Sequence, residues 1–212
     1  MPGTDPSPPL ALRPATEVGA DPAGGTLRTV LDWCVRYLLA PHPELGRTGS
    51  VCPYTAPSLR RDLLYLVELP GVTDVARISA AVGALRDQYQ RTVATLPDDE
   101  AELLTYLLVL PDVDRTDPGP LDALQARVKD EFVTEGLMVG QFHPHCANPG
   151  LWNEDFRPLR SPVPLLAVRR MLVFDLPFLT GSARHFDAWA NRFAGHLPAR
   201  VRSLLSHRVV PG

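Results

Sequence analysis

The sequence feature that most constrains the fold is an almost unbroken apolar run at residues 103–110, LLTYLLVL. Its length suits a β-strand, and apolar side chains at successive strand positions are typical of a sheet that is covered on both faces. Residues 63–69 and 137–142 carry similar runs, so the sequence predicts three strands of one sheet. Residues 74–95 and 120–135 have apolar positions at helical spacing, and these two amphipathic helices would pack on that sheet.

The order of these elements predicts a single three-layer α/β or α+β domain over residues 25–212. Two apolar strands joined by one amphipathic helix, as in residues 103–142, most simply form a right-handed parallel crossover. We therefore expect a central, mostly parallel sheet flanked by helices. Residues 164–173 suit either a strand or a buried helix, and a last helix is predicted over residues 182–207. Residues 1–24 are rich in Pro, Ala, Gly and Asp without periodicity and predict a disordered tail.

Charge and composition exclude several classes of partner. The formal net charge is only −3, without the clustered basic surface that a nucleic-acid partner requires. No apolar run approaches the roughly 18 residues that span a bilayer, and the first residues lack the basic and apolar regions of a signal peptide. The three cysteines do not form a disulfide framework, so we expect a cytoplasmic protein. The expected partner is a small-molecule substrate, and a homodimer is left open.

The segment from residue 140 to residue 164 concentrates the polar groups most suited to chemistry. His143 and His145 would leave the same face if the strand continued through Pro144, and two imidazoles could then share one metal ion. Cys146 would be a third ligand and Asp155 or Glu154 a fourth, a mixed set that suits zinc or iron. The alternative interpretation is a hydrogen-bonded loop without a metal.

Other candidate residues flank this segment or precede it. Cys52 stands before a proline, as thiolate ligands of haem-responsive proteins do, but a buried core cysteine is the preferred interpretation of this dipeptide. Arg160, Arg169 and Arg170 could clamp a carboxylate, a phosphate or a haem propionate, or could pair with Asp155, Glu154 or Asp175. Trp152 could form the wall of a pocket or a plug over the core. Three further histidines, His185, His196 and His207, share one face of the last predicted helix and are interpreted as solvated surface.

Several short motifs together resemble a bacterial domain family of unknown function. They are Cys52-Pro-Tyr54, a strand ending in Leu-Pro-Asp, Phe142-His-Pro144, and Arg160-Ser-Pro-Val-Pro164 followed by an apolar run with Arg169. In outline, the arrangement is also similar to the YqcI/YcgG family, some members of which are haem-dependent N-oxygenases of amino acids in natural-product pathways.

The second resemblance implies a haem-dependent oxygenase of a small amino-acid-like substrate, in bacterial secondary metabolism. His143 would be the axial haem ligand, with Cys52 as the alternative, and Arg169 would act with His143 in catalysis. Arg160, Ser161 and Trp152 would contact the cofactor. Cys52, His143 and Arg160 or Arg169 would then surround one common cavity.

Two further hypotheses remain beside the haem enzyme. The first is a non-haem zinc or iron protein that uses His143, His145 and Cys146. The second is a non-catalytic binding or accessory protein, in which the proline-rich segments around His143 have a purely structural role.

Overall fold

The computed structural model describes residues 9–197 and Arg200. Its strands, in chain order, are β1 (Arg13–Pro14), β2 (Leu64–Glu68), β3 (Thr105–Val109), β4 (Leu137–Phe142) and β5 (Leu165–Arg170). The α-helices are α1 (Ala15–Ala20), α2 (Gly25–Trp33), α3 (Thr55–Arg60), α4 (Val75–Val93), α5 (Asp98–Ala101), α6 (Gly119–Thr134) and α7 (Ala183–Phe193). A π-helical turn (Cys34–Leu38) extends α2, and short 3₁₀ helices lie at Pro43–Leu45, Val173–Phe178 and Ala194–His196. None of the helices in this described part of the chain is long and apolar enough to cross a membrane.

The five strands form one sheet in the order β1-β2-β3-β5-β4. The α/β class is confirmed, but the prediction of a mostly parallel sheet is wrong. Only β2 and β3 pair in parallel, whereas β1–β2, β3–β5 and β4–β5 are antiparallel. β3 and β4 run in the same direction, as the crossover prediction requires, but β5 lies between them and pairs with both. An apolar run indicates that both faces of a strand are buried, but it does not indicate whether the neighbouring strand is parallel or antiparallel.

Helices cover both faces of the sheet, which confirms the three layers. Side chains alternate between the faces, so Tyr106 and Leu108 pack in the core beneath α4 and α6. Leu107 and Val109 point to the other core, which α1, α2 and the π-helical turn complete. The predicted helix start at Asp74 is also confirmed, because its carboxylate accepts a hydrogen bond from the Arg77 backbone N–H at 2.9 Å.

The N-terminal segment differs from the predicted disordered tail. Residues 13–20 form β1, which pairs with β2, and α1, whose Ala15 and Val18 side chains are buried. Leu10 packs on the core and exchanges backbone hydrogen bonds with the Gln88 side chain, at 3.1 and 3.2 Å. These contacts are all tertiary, so a local pattern of Pro, Ala and Gly does not reveal them. Residues 1–8 of the predicted tail lie outside the described residues.

The C-terminal region adds a third, smaller core beside β4. α7 begins after Ser182, whose hydroxyl accepts a hydrogen bond from the His185 backbone, and its buried Trp189 packs with Met138 and Met171. His185 was predicted to be solvated, but it is only 8% exposed and its Nε2 lies 2.7 Å from Asp130 Oδ1. The predicted helix to residue 207 is shorter in the structure, because α7 ends at Phe193 and a 3₁₀ turn follows at Ala194–His196. Residues 201–212, including His207, lie outside the described residues.

The ends of the strands lie along two opposite sides of the sheet, which are distinct from its outermost strands. The carboxyl ends of β2, β3 and β4 meet at one edge, called here the carboxyl edge, where Val109 and Phe142 both face Leu165. At the opposite edge, called here the amino edge, Thr105 and Met138 both face Arg169. Leu165 and Arg169 are four residues apart on β5, which separates the two edges by about 13 Å.

Candidate functional site

His143 follows β4 at the carboxyl edge and is almost completely buried. Its residue is 1% exposed, and its Nε2 lies 3.0 Å from Oδ1 of Asp122 in the first turn of α6. Its Nδ1 is the one buried side-chain nitrogen or oxygen within the described chain that lacks a hydrogen-bond partner. His143 and Asp122 therefore form a hydrogen-bonded pair between the end of a strand and the start of a helix, in which the imidazole is buried and the carboxylate is 42% exposed.

The backbone around His143 ties two proline-rich segments together. The carbonyl oxygen of His143 accepts hydrogen bonds from the N–H groups of Cys146, at 3.1 Å, and Ser161, at 3.4 Å. The Ser161 hydroxyl in turn donates to the Val163 carbonyl at 2.7 Å. His143, Cys146 and Ser161 are thus brought together, and their contacts fix a crossing of two chain segments.

The predicted metal ligands do not converge on one point in this structure. His143 and Cys146 are buried, whereas His145 is exposed. Burial raises the pKa of the Cys146 thiol, and the Asp122 carboxylate contributes in the same direction, both of which disfavour the thiolate that binds metals. The part of the chain that the structure describes contains no group of three or more His, Cys, Asp or Glu positioned to hold a metal ion. The metal hypothesis therefore gains no support from the geometry.

Arg160 and Trp152 lie on the surface of the protein. Arg160 Nε reaches the Cys146 carbonyl at 3.5 Å and lines a shallow depression of about 250 Å³ beside the stacked rings of His42 and Phe156. Trp152 is 67% exposed, so it neither walls a pocket nor covers the core.

The loop that carries Trp152 lies close to the loop that carries Gly46. Gly46 has a φ of +76°, and a Cβ there would meet the Trp152 carbonyl oxygen at 2.7 Å. Both the backbone angle and the close approach therefore require glycine at this position.

Arg169 lies at the amino edge, and its guanidinium group is occupied by Asp175. The two side chains form a bidentate pair with N–O distances of 2.7 and 2.5 Å. Burial alone would lower the pKa of Arg169, but the bonds to Asp175 outweigh that effect and raise it. This pairing was one of the two alternatives for the arginines. The pair makes Arg169 an anchor for the 3₁₀ helix Val173–Phe178, and the guanidinium group of Arg169 is therefore unavailable for a substrate.

Cys52 packs on the face of the sheet that α2 covers, whereas Asp122, the partner of His143, belongs to α6 on the opposite face. The half-buried Cys52 packs in the core beside α2, its N–H donates to the Leu38 carbonyl at 2.9 Å, and its thiol acts electrostatically on Arg169. Of the two cavities described here, neither is lined by Cys52 or by His143. The predicted common cavity is therefore found at neither of them.

The larger cavity, called here the amino-edge cavity, has a volume of about 490 Å³ and lies at the carboxyl end of β5. Its charged and polar lining consists of Tyr54, Asp98, Glu102, Arg170, Arg192 and His196. Its apolar lining consists of Leu172, Val173, Phe174, Phe193 and Leu197. Elements from four parts of the chain meet here: the CPY motif, α5, the segment after β5 and the end of α7.

Two arginines set the electrostatics of this cavity. Arg170 forms an ion pair with the exposed Asp98 at 2.9 Å. Within the described residues Arg192 forms no ion pair, and Asp98 acts on it only at longer range. Burial lowers the pKa of Arg192, and the neighbouring charge of Arg170 lowers it further.

The position of Arg192 is fixed by packing. Its guanidinium lies 5.8 Å from the centre of the Phe193 ring and directly over the backbone of Gly136, where a Cβ atom would collide with it. Gly136 also has a φ of +77° after α6, so glycine is required there for two reasons. A half-buried guanidinium is thus held close to a second cation, Arg170, and both residues line the same cavity.

Comparison with known proteins places the chain in a family. Residues 27–204 match the family model described as domain of unknown function DUF6875. The chain belongs to this family. No curated protein matches it, and no solved structure matches it. Membership of a family of unknown function is therefore confirmed, whereas nothing in these comparisons links that family to the short motifs on which the prediction rested, or the chain to the YqcI/YcgG family.

The matched region contains cavity residues that the sequence analysis identified as candidates and others that it did not identify. Tyr54 and Arg170 belong to segments marked as candidates, and the structure brings them to one cavity. Glu102, Phe174 and Arg192 carried no signal, because an acid at a helix end, one phenylalanine and a helical arginine are ordinary in isolation. Their proximity depends on the positions of α5 and α7 around β5.

Proposed function

We propose that this protein binds a small amino-acid-like molecule in the amino-edge cavity, with the carboxylate of the molecule held by Arg192 and Arg170. The observation that carries the proposal is the half-buried guanidinium of Arg192, which shares the cavity with Arg170 and forms no ion pair among the described residues. Two neighbouring cations repel each other, and an anion between them relieves that repulsion. The planar guanidinium fork also matches a carboxylate in two hydrogen bonds.

Glu102 supplies a site for a positive group of the same molecule. This exposed carboxylate lines the cavity and forms no ion pair in the part of the chain that is described, although Arg192 lines the same cavity. A zwitterion could satisfy both side chains at once, with its carboxylate at Arg192 and its ammonium at Glu102. The volume of about 490 Å³ falls in the range of small-molecule sites.

The haem-dependent oxygenase stays a prediction without geometric support. His143 is only 1% exposed and its Nε2 is engaged by Asp122, so the ring offers no open face to a porphyrin in this structure. The absorption spectrum of the purified protein is the direct test of this hypothesis. A Soret band that appears after haem is supplied and that is lost in His143→Ala would restore it.

Titration calorimetry with three related probes tests the proposed binding. The probes are L-phenylalanine, its amide, which lacks the carboxylate, and its N-acetyl derivative, which lacks the ammonium. Arg192→Gln should weaken L-phenylalanine binding about 10- to 100-fold, because hydrogen bonds to a charged group are lost. The amide should bind weakly to both proteins.

Arg184→Gln is the matched control. Arg184 lies on the same helix, in an exposed pair with Asp130 outside the cavity, so its loss should leave binding unchanged. The proposal is overturned if none of the probes binds at about 10 mM, the weak end of measurable affinities. Equal binding by the Arg192→Gln and Arg184→Gln proteins would overturn it as well.

A further inference from the structure

Phe174 is the most exposed large apolar side chain in the described part of the chain. It is 74% exposed and lines the amino-edge cavity, in the 3₁₀ helix Val173–Phe178. Phe178, at the end of the same helix, is 47% exposed and does not line the cavity. A single exposed phenylalanine is unremarkable in itself. The position of Phe174 at a cavity with unpaired charges is what distinguishes it.

The backbone that carries Phe174 is held from several sides. Asp175, which is bound to Arg169, also accepts a hydrogen bond from the Leu172 N–H at 2.7 Å. The Trp189 indole N–H donates to the Val173 carbonyl at 3.1 Å, and Lys129 donates to the Phe178 carbonyl at 3.0 Å. The backbone that carries Phe174 is therefore anchored on both sides, at a position where the residue lines the cavity.

From this placement we infer that Phe174 is a specificity-determining residue, which selects ligands with an aromatic side chain by packing its ring against theirs. The inference rests on the proposed function, since it assumes that the carboxylate is held at Arg192. Leu172, Val173 and Phe193 extend the apolar lining beside Phe174. An aromatic ring gains more from such a wall than a methyl group does, both through buried apolar area and through ring–ring geometry.

The test compares the affinities of L-phenylalanine and L-alanine in matched variants. The wild-type protein should bind L-phenylalanine more tightly. Phe174→Ala should reduce that preference about tenfold through weaker binding of L-phenylalanine, while the affinity for L-alanine changes less than about twofold. Phe174→Tyr keeps the ring and should keep the preference. Phe178→Ala removes a ring from the same 3₁₀ helix outside the cavity and should also keep it.

The outcomes separate this inference from the proposed function. If L-alanine binds in an Arg192-dependent manner but the wild-type protein shows no preference for L-phenylalanine, only the role of Phe174 is overturned. The same holds if Phe174→Ala weakens both ligands equally or if Phe178→Ala has the same effect. If neither amino acid binds the wild-type protein, both proposals fail. An unchanged thermal midpoint for Phe174→Ala confirms that the variant is folded in these comparisons.

Discussion

Tyr89 connects the core of the molecule to the cavity through a single hydroxyl group. This fully buried hydroxyl donates to the Leu104 carbonyl at 2.9 Å and accepts from the Arg170 backbone N–H at 2.7 Å. Its ring packs edge-on against Tyr106, with the centres 5.1 Å apart. Tyr89 therefore fixes the backbone of the residue whose guanidinium lines the cavity.

Tyr89→Phe should lower the free energy of unfolding by about 1–3 kcal/mol, because it leaves a buried donor and a buried acceptor without a partner. Urea denaturation measures this loss directly. Tyr65→Phe is the control: the Tyr65 hydroxyl forms no side-chain hydrogen bond within the described residues, so its removal should cost less than about 0.5 kcal/mol. Equal losses in the two variants would contradict the assigned role.

The same variant should change the stability of the protein at alkaline pH. Burial raises the pKa of Tyr89 in the folded state above its value in the unfolded chain, which is about 10. The stability contributed by the neutral phenol is thus fully present below about pH 10 and is lost as the pH rises toward the raised pKa. Urea midpoints above pH 10 should fall less steeply for Tyr89→Phe than for the wild type.

At the level of elements, β5 decides where the cavity forms. Because β5 is antiparallel to β3 and β4, its carboxyl end lies at the amino edge and delivers Arg169 and Arg170 there. Ligands of open α/β sheets usually bind beyond the carboxyl ends of the strands. Here the carboxyl edge holds the hydrogen-bonded His143–Asp122 pair, while the larger of the two described cavities lies beyond the carboxyl end of β5.

The sequence predicted the positions of strands and helices better than it predicted which strands lie side by side in the sheet. β2, β3 and β4 and the long helices α4 and α6 were all predicted, because long apolar runs and helical spacing record burial directly. The insertion of β5 between β3 and β4 depends on contacts far apart in the chain, which periodicity does not encode. The same holds for the residues of the cavity. Tyr54 and Arg170 belong to segments that the sequence analysis identified as candidates, but their proximity to Arg192 depends on how distant parts of the chain are arranged in the fold.

The Arg169–Asp175 pair should hold the 3₁₀ helix Val173–Phe178 in place. Arg169→Ala leaves the carboxylate of Asp175, whose side chain is 5% exposed, without its cation. The expected loss of stability is about 3 kcal/mol, the lower end of the range for breaking a buried ion pair, since the Arg169 side chain is 26% exposed. Urea denaturation gives the total, and hydrogen exchange at residues 173–178 should show faster opening of this segment.

Arg184→Ala provides the comparison for this loss. Its pair with Asp130 is exposed on both sides and should contribute less than about 1 kcal/mol. A loss for Arg169→Ala no larger than that for Arg184→Ala would mean that the pair does not anchor the segment.

For the molecule as a whole, the matched family region and the folded unit do not coincide. The family match begins at residue 27, whereas β1 and α1 lie before it and complete one edge of the sheet. Val18 and Ala15 are 1% and 4% exposed, in the same core as the inward-facing side chains of β2. Residues 10–20 are therefore structurally part of the domain that the family match describes.

A chain beginning at residue 27 should consequently be less stable than the full chain and should associate more readily. Removing the buried side chains of α1 and the contacts of Leu10 with Gln88 should cost about 3–6 kcal/mol, on the scale of two or three buried apolar side chains. Loss of β1 also leaves β2 as an unprotected edge strand, which can pair with another molecule. Thermal midpoints and concentration-dependent light scattering measure both effects.

The full chain with Glu17→Ala, which removes only an exposed ion pair to Arg13, should behave as the wild type. An unchanged midpoint and no added association in the shortened chain would show that β1 and α1 are dispensable.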